Sequence, residues 1–180
     1  MFSSFFVIAA VFSRIMPHPW FSFTAVGAAL LYFGARRSPK YFIAPVLALA
    51  ATDYYLTVFA YNYSFHISDY LVTWAWYLGA CWIGYAMLRK RANTGRVVGA
   101  ALGSSTSFFL ASNFAVWLGS PMYPHTTGGL AACYLVALPF YRNDVIATTL
   151  LTAAVFGLPA LGRRMAEQWQ NRNISGPNAI

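Results

Sequence analysis

Short polar segments divide the chain into apolar runs that have the length of transmembrane helices. The clearest run extends from Tyr70 to Leu88, YLVTWAWYLGACWIGYAML, and contains no charged residue. At a helical rise of 1.5 Å per residue this run spans about 28 Å, close to the hydrocarbon thickness of a bilayer. The pattern therefore predicts a membrane-spanning helix here.

Further apolar runs complete a predicted bundle of six transmembrane helices. They cover Phe2–Met16, Phe21–Phe33, Tyr41–Ala60, Val97–Leu118 and a last run from Asn143 or Asp144, either of which can cap it, to Leu161. The first two runs are short for a full span, so thin, tilted or incomplete spans remain open.

A shorter apolar run precedes the sixth predicted span. It extends from Leu130 to Phe140, contains Pro139 and follows a turn-rich loop, SPMYPHTTGG. About eleven residues are too few to cross a bilayer, and proline commonly ends a helix. The sequence predicts a short re-entrant or interfacial helix that carries Cys133.

Composition supports an all-α, polytopic membrane protein. Of the 180 residues, 59% are hydrophobic, 18% aromatic and only 9% charged, which is typical of a membrane domain rather than a soluble one. We assign residues 1–164 to a single transmembrane domain and residues 165–180 to a polar tail.

The basic residues indicate the orientation of the bundle. Ten of the twelve lie on one side: Arg36, Arg37, Lys40, Arg89, Lys90, Arg91, Arg96, Arg163, Arg164 and Arg172. The positive-inside rule places this side, and both termini, in the cytoplasm, with the chain crossing the membrane several times. These residues end apolar runs and form no separate basic face, so the lipid bilayer is the expected partner and nucleic acid is not.

Few polar groups occur inside the predicted spans. Asp53 lies about 18 Å along its helix from the basic end. An ionisable group at that depth must face protein or a watery cavity. Two interpretations stay open, a structural hydrogen bond to a facing helix and a polar contact in a substrate pocket. Asn113 is the strongest hydrogen-bonding side chain of the fifth span.

Aromatic and hydrogen-bonding residues gather on the predicted outer face. This group comprises His18, Trp20, His66, Asp69, Trp117, Tyr123 and His125. Such residues form either an interfacial aromatic belt or an outward-open cup with Asp53 and Cys81 deeper inside.

Cys81 lies near the middle of the Tyr70–Leu88 helix. Helical spacing places Trp74, Tyr77, Gly84 and Tyr85 on the same face. Gly84 leaves room beside the thiol for a neighbouring helix or a flat ligand. On these residues alone the helix contact is favoured, because a free cysteine behaves as a small buried hydrophobe.

Several activities are excluded by missing motifs. The chain has no glycine-rich phosphate loop ending in Gly-Lys-Ser/Thr, no HExxH and no G-x-S-x-G. The two cysteines offer neither a CxxC pair nor a zinc spacing. We therefore expect no bound nucleotide and no free metal ion.

Several short motifs occur along the chain: RIMPHPW at 14–20, TD at 52–53, the cysteine-bearing helix, NFAVW at 113–117, MYP at 122–124 and CYLVALPF at 133–140. Together they resemble the BtuM-type proteins, a bacterial family of solitary S components of energy-coupling-factor vitamin transporters. The resemblance implies a six-helix S-component fold in the bacterial inner membrane and uptake of cobalamin, vitamin B12, as the substrate. It also implies that the Cys81 thiolate binds the cobalt of cobalamin, which reverses the preference stated above.

The resemblance extends the hypothesis to chemistry and partners. Thiolate coordination pushes electron density onto cobalt and could assist removal of an upper ligand such as cyanide, with Cys81 as the reacting group. Candidate contacts with the ligand, besides Cys81, are Trp74, Tyr77, Tyr85, Asp53, Asp69, Asn113, Tyr123 and His18. The partner is either a transmembrane coupling subunit with its ATPases, for which Ala25 and Ala29 form a candidate docking face, or none.

Three alternatives to cobalamin uptake remain open at this stage. The first is an S component for another vitamin, and the second is a membrane enzyme that acts on a tetrapyrrole. The third is a structural subunit whose aromatic residues only pack.

Overall fold

The computed structural model describes residues 2–15 and 25–174, and all regular structure in them is helical. The six α-helices are α1 (Phe2–Ile15), α2 (Val26–Arg36), α3 (Ile43–Tyr55), α4 (Leu71–Leu88), α5 (Thr94–Gly119) and α6 (Thr127–Ile174). A π-helical turn, Leu56–Ala60, extends α3, and 3-10 turns at Pro39–Tyr41 and Ile67–Tyr70 precede α3 and α4. The predicted all-α fold class is confirmed.

Helix α2 forms the centre of the bundle. All of its residues except Tyr32 and Arg36 are buried, and it contacts α1, α4, α5 and α6. A helix that is apolar around its whole circumference is stable only where other helices surround it. Ala29, proposed above as part of a docking face, is 3% exposed inside this core and does not lie on the surface.

Two glycines allow α2 and α4 to cross in direct backbone contact. A Cβ atom added to Gly34 would meet the carbonyl oxygen of Cys81, and one added to Gly84 would meet that of Leu31. Each helix therefore presents a glycine to the backbone of the other. Small residues at such crossings let membrane helices pack without a hydrophobic driving force.

The outer surface of the bundle is apolar. Three helical segments of the described chain, Pro39–Ala60, Ile67–Leu88 and Thr94–Gly119, are long and apolar enough to cross a membrane. Large side chains such as those of Phe12, Leu47 and Leu135 are exposed on their helices. These features are those of a membrane protein, since lipid rather than water is the solvent that such surfaces suit.

The predicted short helix before the sixth span is wrong. Residues 130–140 belong to α6, which continues through Pro139 and Pro159, so Asn143 and Asp144 lie inside a helix and not at its start. An internal proline removes one backbone hydrogen bond and kinks a helix without always ending it. Here packing on α5 supports the continuous helix: Tyr134 donates to the Leu110 carbonyl at 2.8 Å.

The polar tail begins as a continuation of the same helix. Residues 165–174, predicted to be outside the membrane domain, form the last turns of α6. The six-span topology and the orientation of the termini remain predictions.

The glycine crossing yields a stability prediction. We expect Gly84→Ala to destabilise the protein by at least about 1–3 kcal/mol, because its methyl group would overlap the Leu31 backbone and force α2 and α4 apart. Gly79→Ala in the same helix is the control, since its Cβ would have no neighbour within 4 Å and alanine favours helix. Thermal unfolding in detergent should therefore show a lower Tm for the first variant alone. Equal Tm values for both would contradict the close crossing.

Candidate functional site

A buried ion pair joins α1 to α3. Arg14 Nη2 lies 2.6 Å from Asp53 Oδ1, and the Asp53 side chain is only 1% exposed. Trp74 Nε1 donates to Asp53 Oδ2 at 2.9 Å, and the Tyr77 hydroxyl lies 3.5 Å from the same oxygen. Arg14 Nη1 also donates to the Tyr77 hydroxyl at 3.1 Å. The four side chains form one network, named here the Asp53 network, which ties α1 and α3 to α4.

The backbone beside Asp53 departs from α-helical geometry. In the π-helical turn, Tyr61 N donates to the Leu56 carbonyl at 2.8 Å, and Thr57 Oγ1 donates to the Asp53 carbonyl at 2.8 Å. The Thr57 hydroxyl also bonds the Tyr70 hydroxyl of the turn before α4. Short π-helical turns often occur at functional sites, because the extra residue re-aims the neighbouring side chains.

A cavity of about 410 Å³ lies beside the Asp53 network. Single faces of α5 and α6 supply much of its lining. From α5 these are residues 105, 108, 109, 112 and 113, and from α6 residues 137, 140, 141 and 144. Spacings of three, four and seven place such residues on one side of a helix. The lining also includes Arg14 and Asp53, and Val26 and Gly27 of α2. It is completed by residues 69 and 70 of the turn before α4 and by residues 73, 76 and 77 of α4.

Aromatic pairs give the cavity rigid walls. The rings of Trp76 and Phe108 lie 4.5 Å apart between α4 and α5, and those of Phe109 and Tyr141 stack at 4.5 Å between α5 and α6. The Tyr141 hydroxyl also bonds Thr106 Oγ1 at 2.9 Å. Cavities of this size with aromatic walls and a few polar groups are typical small-molecule sites.

Four of the candidate residues line this cavity. They are Asp53, Tyr77, Asp69 and Asn113. Trp74 is not in the lining but contacts a residue of it, because its ring nitrogen donates to Asp53. Its ring stacks with those of Phe65 and Tyr70. Of the residues assigned to the predicted outer-face cup, the described lining contains Asp53 and Asp69 but not Cys81.

Cys81 lies away from the cavity. It is 0% exposed in the core between α2 and α4, where its backbone contacts Gly34. The described lining of the cavity does not include it. Its thiol and that of Cys133 are both free and buried. The arrangement matches the helix contact that the local sequence favoured before the resemblance was considered.

The remaining candidates occupy other positions. Tyr85 packs against Phe42 and Trp82, and the Arg89 guanidinium lies 4.7 Å from its ring centre, at the far end of α4 from the cavity. Tyr123 lies in the loop between α5 and α6, partly buried and outside the described lining. His18 falls outside the described residues.

Sequence reasoning missed Arg14 and Asp144 as site residues. Arg14 is one of the two basic residues that the charge count leaves on the predicted outer side, and the sequence indicated Asp144 only as a helix cap. Each is an ionisable side chain within or next to an apolar run, and that signal alone marks a functional candidate in a membrane protein. Asp144 also accepts a hydrogen bond from Thr148 Oγ1 at 3.4 Å.

Comparison with known proteins establishes the family without naming an activity. Residues 1–169 match the model of a family described as "Family of unknown function (DUF6580)", and the chain belongs to that family. No curated protein and no solved structure matches it. The function must therefore be argued from the site.

The ion pair yields a second stability prediction. We expect Asp53→Asn and Arg14→Gln each to destabilise the protein by about 3 kcal/mol, because each leaves the opposite charge buried without its partner. The double variant should lose less than the sum of the two single losses. Thermal or denaturant unfolding of all four proteins measures this coupling, and simple additivity would show that the two side chains do not interact.

Proposed function

We propose that this protein binds a water-soluble, vitamin-like molecule at the outer side of the bacterial inner membrane and takes part in its uptake. The cavity of about 410 Å³ carries the proposal, because it places charged and aromatic side chains together inside an apolar bundle. Burying charges there is costly, and ionisable groups within membrane helices most often mark substrate pathways. The Asp53 network accounts for Arg14 and Asp53 by packing alone, but Asp69 and Asp144 make no ion pair with a described basic residue.

The topology that accompanies this proposal has six spans and cytoplasmic termini. The cavity includes Asp69, which precedes α4, whereas the basic loops at 36–40 and 89–96 lie at the opposite ends of α2 to α5. With those loops in the cytoplasm, the cavity faces outward. An outward-facing site is what an uptake protein requires to collect its ligand.

Cobalamin is the ligand that the sequence resemblance supports. The free thiol of Cys81, with no disulfide partner, is compatible with a soft ligand for cobalt. A corrin with its side chains and nucleotide is nevertheless much larger than the cavity. Coordination by Cys81, and any removal of cyanide that it assists, would require α2 and α4 to separate at Gly34 and Gly84.

A more compact ligand is the second candidate, and the geometry favours it. A vitamin-sized molecule of one or two rings fits the cavity without moving the α2–α4 contact, and four of the residues first considered for ligand binding already line it. Whether a coupling subunit with its ATPases energises uptake or the chain works alone is independent of this choice. A membrane enzyme for tetrapyrroles would need the same separation of helices as cobalamin.

Cobalamin binding separates the two candidates. If cobalamin is the ligand, the purified protein should bind about one cyanocobalamin per chain and shift its visible cobalt bands; Cys81→Ala should abolish the shift because the thiolate is lost. Cys133→Ala is the matched control, another buried free thiol, and should behave as wild type. No binding by the wild type would leave the compact ligand. A shift that survived in Cys81→Ala would exclude thiolate coordination.

The topology has its own test. Single cysteines introduced at Lys40 and Arg91 should react with an impermeant maleimide only from the cytoplasmic side, and one at His66 only from outside. The native Cys81 and Cys133 are buried and should contribute little labelling. The opposite accessibility at any of the three positions would overturn the six-span arrangement.

A further inference from the structure

The charges of the cavity have the opposite sign to those of the chain. The protein has a formal net charge of +8 and only four acidic residues. Three of the four, Asp53, Asp69 and Asp144, line this one cavity, and the only basic side chain in the described lining is Arg14. The lining therefore carries more negative than positive charge, although basic residues outnumber acidic ones threefold in the whole chain.

Arg14 does not balance the other two carboxylates. One of its guanidinium nitrogens pairs with Asp53 and the other donates to Tyr77, so its charge is already used within the Asp53 network. No described basic side chain forms an ion pair with Asp69 or Asp144. Nor do the carboxylates gather into a metal site, since no group of three metal-ligating side chains occurs among the described residues. They surround the space rather than meeting at one point.

The uncharged polar groups of the lining are also rich in acceptors. The Asn113 amide donates one of its two Nδ2 hydrogens to the Phe109 carbonyl at 2.8 Å, and its oxygen remains available as an acceptor for a ligand. The Ser112 hydroxyl donates to the Phe108 carbonyl at 2.7 Å, so its proton is used as well. A ligand in this cavity therefore meets carboxylate, amide and hydroxyl lone pairs at several points of the lining, and donor groups on the ligand suit them.

Ser105 provides an independent sign of an unfilled polar position. It is 1% exposed and belongs to the cavity lining. Its hydroxyl lies near the Asp144 carboxyl but makes no hydrogen bond of good geometry. Buried polar groups are normally satisfied, and one at a cavity wall beside a carboxylate is suited to a ligand that bridges both.

We infer that the ligand of this cavity is a compact organic cation, an ammonium or similar group attached to a flat ring. Asp144 and Ser105 receive the charged end, and the aromatic walls formed by Trp76, Phe108, Phe109 and Tyr141 hold the ring and add cation–π attraction. The inference rests on the proposed uptake function and specifies its substrate class. A ligand with net negative charge would be repelled by Asp69 and Asp144.

Three indole compounds of nearly equal shape test the sign of the charge. Tryptamine, tryptophol and indole-3-propionate share a ring and a two-carbon chain but end in an ammonium, a hydroxyl and a carboxylate. Equilibrium dialysis against the full chain in lipid nanodiscs should show the tightest binding for tryptamine and the weakest for indole-3-propionate. Equal or tighter binding of either other compound, or no binding of all three, would overturn the inference.

Variants then assign the preference to the cavity. Asp144→Asn should weaken tryptamine binding at least about tenfold while changing tryptophol binding little, because it removes one charge and keeps the shape. Glu167→Gln is the control, since it neutralises the one carboxylate of the chain that lies outside the cavity. An equal effect of the two variants would contradict the assignment. Asp144→Glu, which keeps the charge, should retain the preference for tryptamine.

A replacement variant and an uptake assay distinguish a failure of the cation inference from a failure of the proposed uptake function. If Asp144→Asn fails to fold, Asp69→Asn takes its place, with a smaller expected loss because Asp69 is exposed at the start of α4. Uptake by cells is measured separately with cobalamin and with compact vitamins of either charge. Uptake of a neutral or anionic compound would contradict the inference that the ligand is a cation, but not the proposed uptake function. Absence of any uptake would contradict the uptake function.

Discussion

The Arg14–Asp53 ion pair is the interaction on which the arrangement of the helices depends. Neither charge is stable alone inside an apolar bundle, so α1 and α3 must lie together wherever the chain folds. Trp74 and Tyr77 extend the constraint to α4. With α1, α3 and α4 fixed by this network and α2 held against α4 by glycines, the space left between α4, α5 and α6 becomes the cavity.

The sequence predicted the all-α class and one partner of this pair, but not the pair itself. Asp53 could be recognised because a carboxylate in an apolar run needs polar surroundings, and it belongs to a hydrogen-bonded network that borders a cavity. A contact with a substrate there stays a prediction. Arg14 could not be assigned to it. Which helices are neighbours depends on packing over the whole bundle, and nothing in the spacing of two distant residues encodes that.

The differences at α6 and Cys81 have a common physical origin. Pro139 and the capping candidates Asn143 and Asp144 indicated a break, yet α6 is continuous there and packs against α5. Asp144 therefore lies in the wall of the cavity and not at the helix end predicted from the sequence. Beside Cys81, the space that Gly84 leaves is filled by the backbone of α2 rather than by a ligand. In both cases tertiary packing, which a single sequence does not display, decided between two local possibilities.

These contacts divide the bundle into two parts with different capacity to bind. Between α2 and α4 the backbones touch, and Cys81 is enclosed. Between α4, α5 and α6, aromatic pairs hold the helices apart. Three of the four acidic residues of the chain line the cavity there. A ligand recognised through the thiol has to separate the first part, at the expense of its packing energy. A ligand recognised through the carboxylates needs only to enter the second, where the polar groups are already in place and Asp144, which has no ion-pair partner among the described residues, gains one.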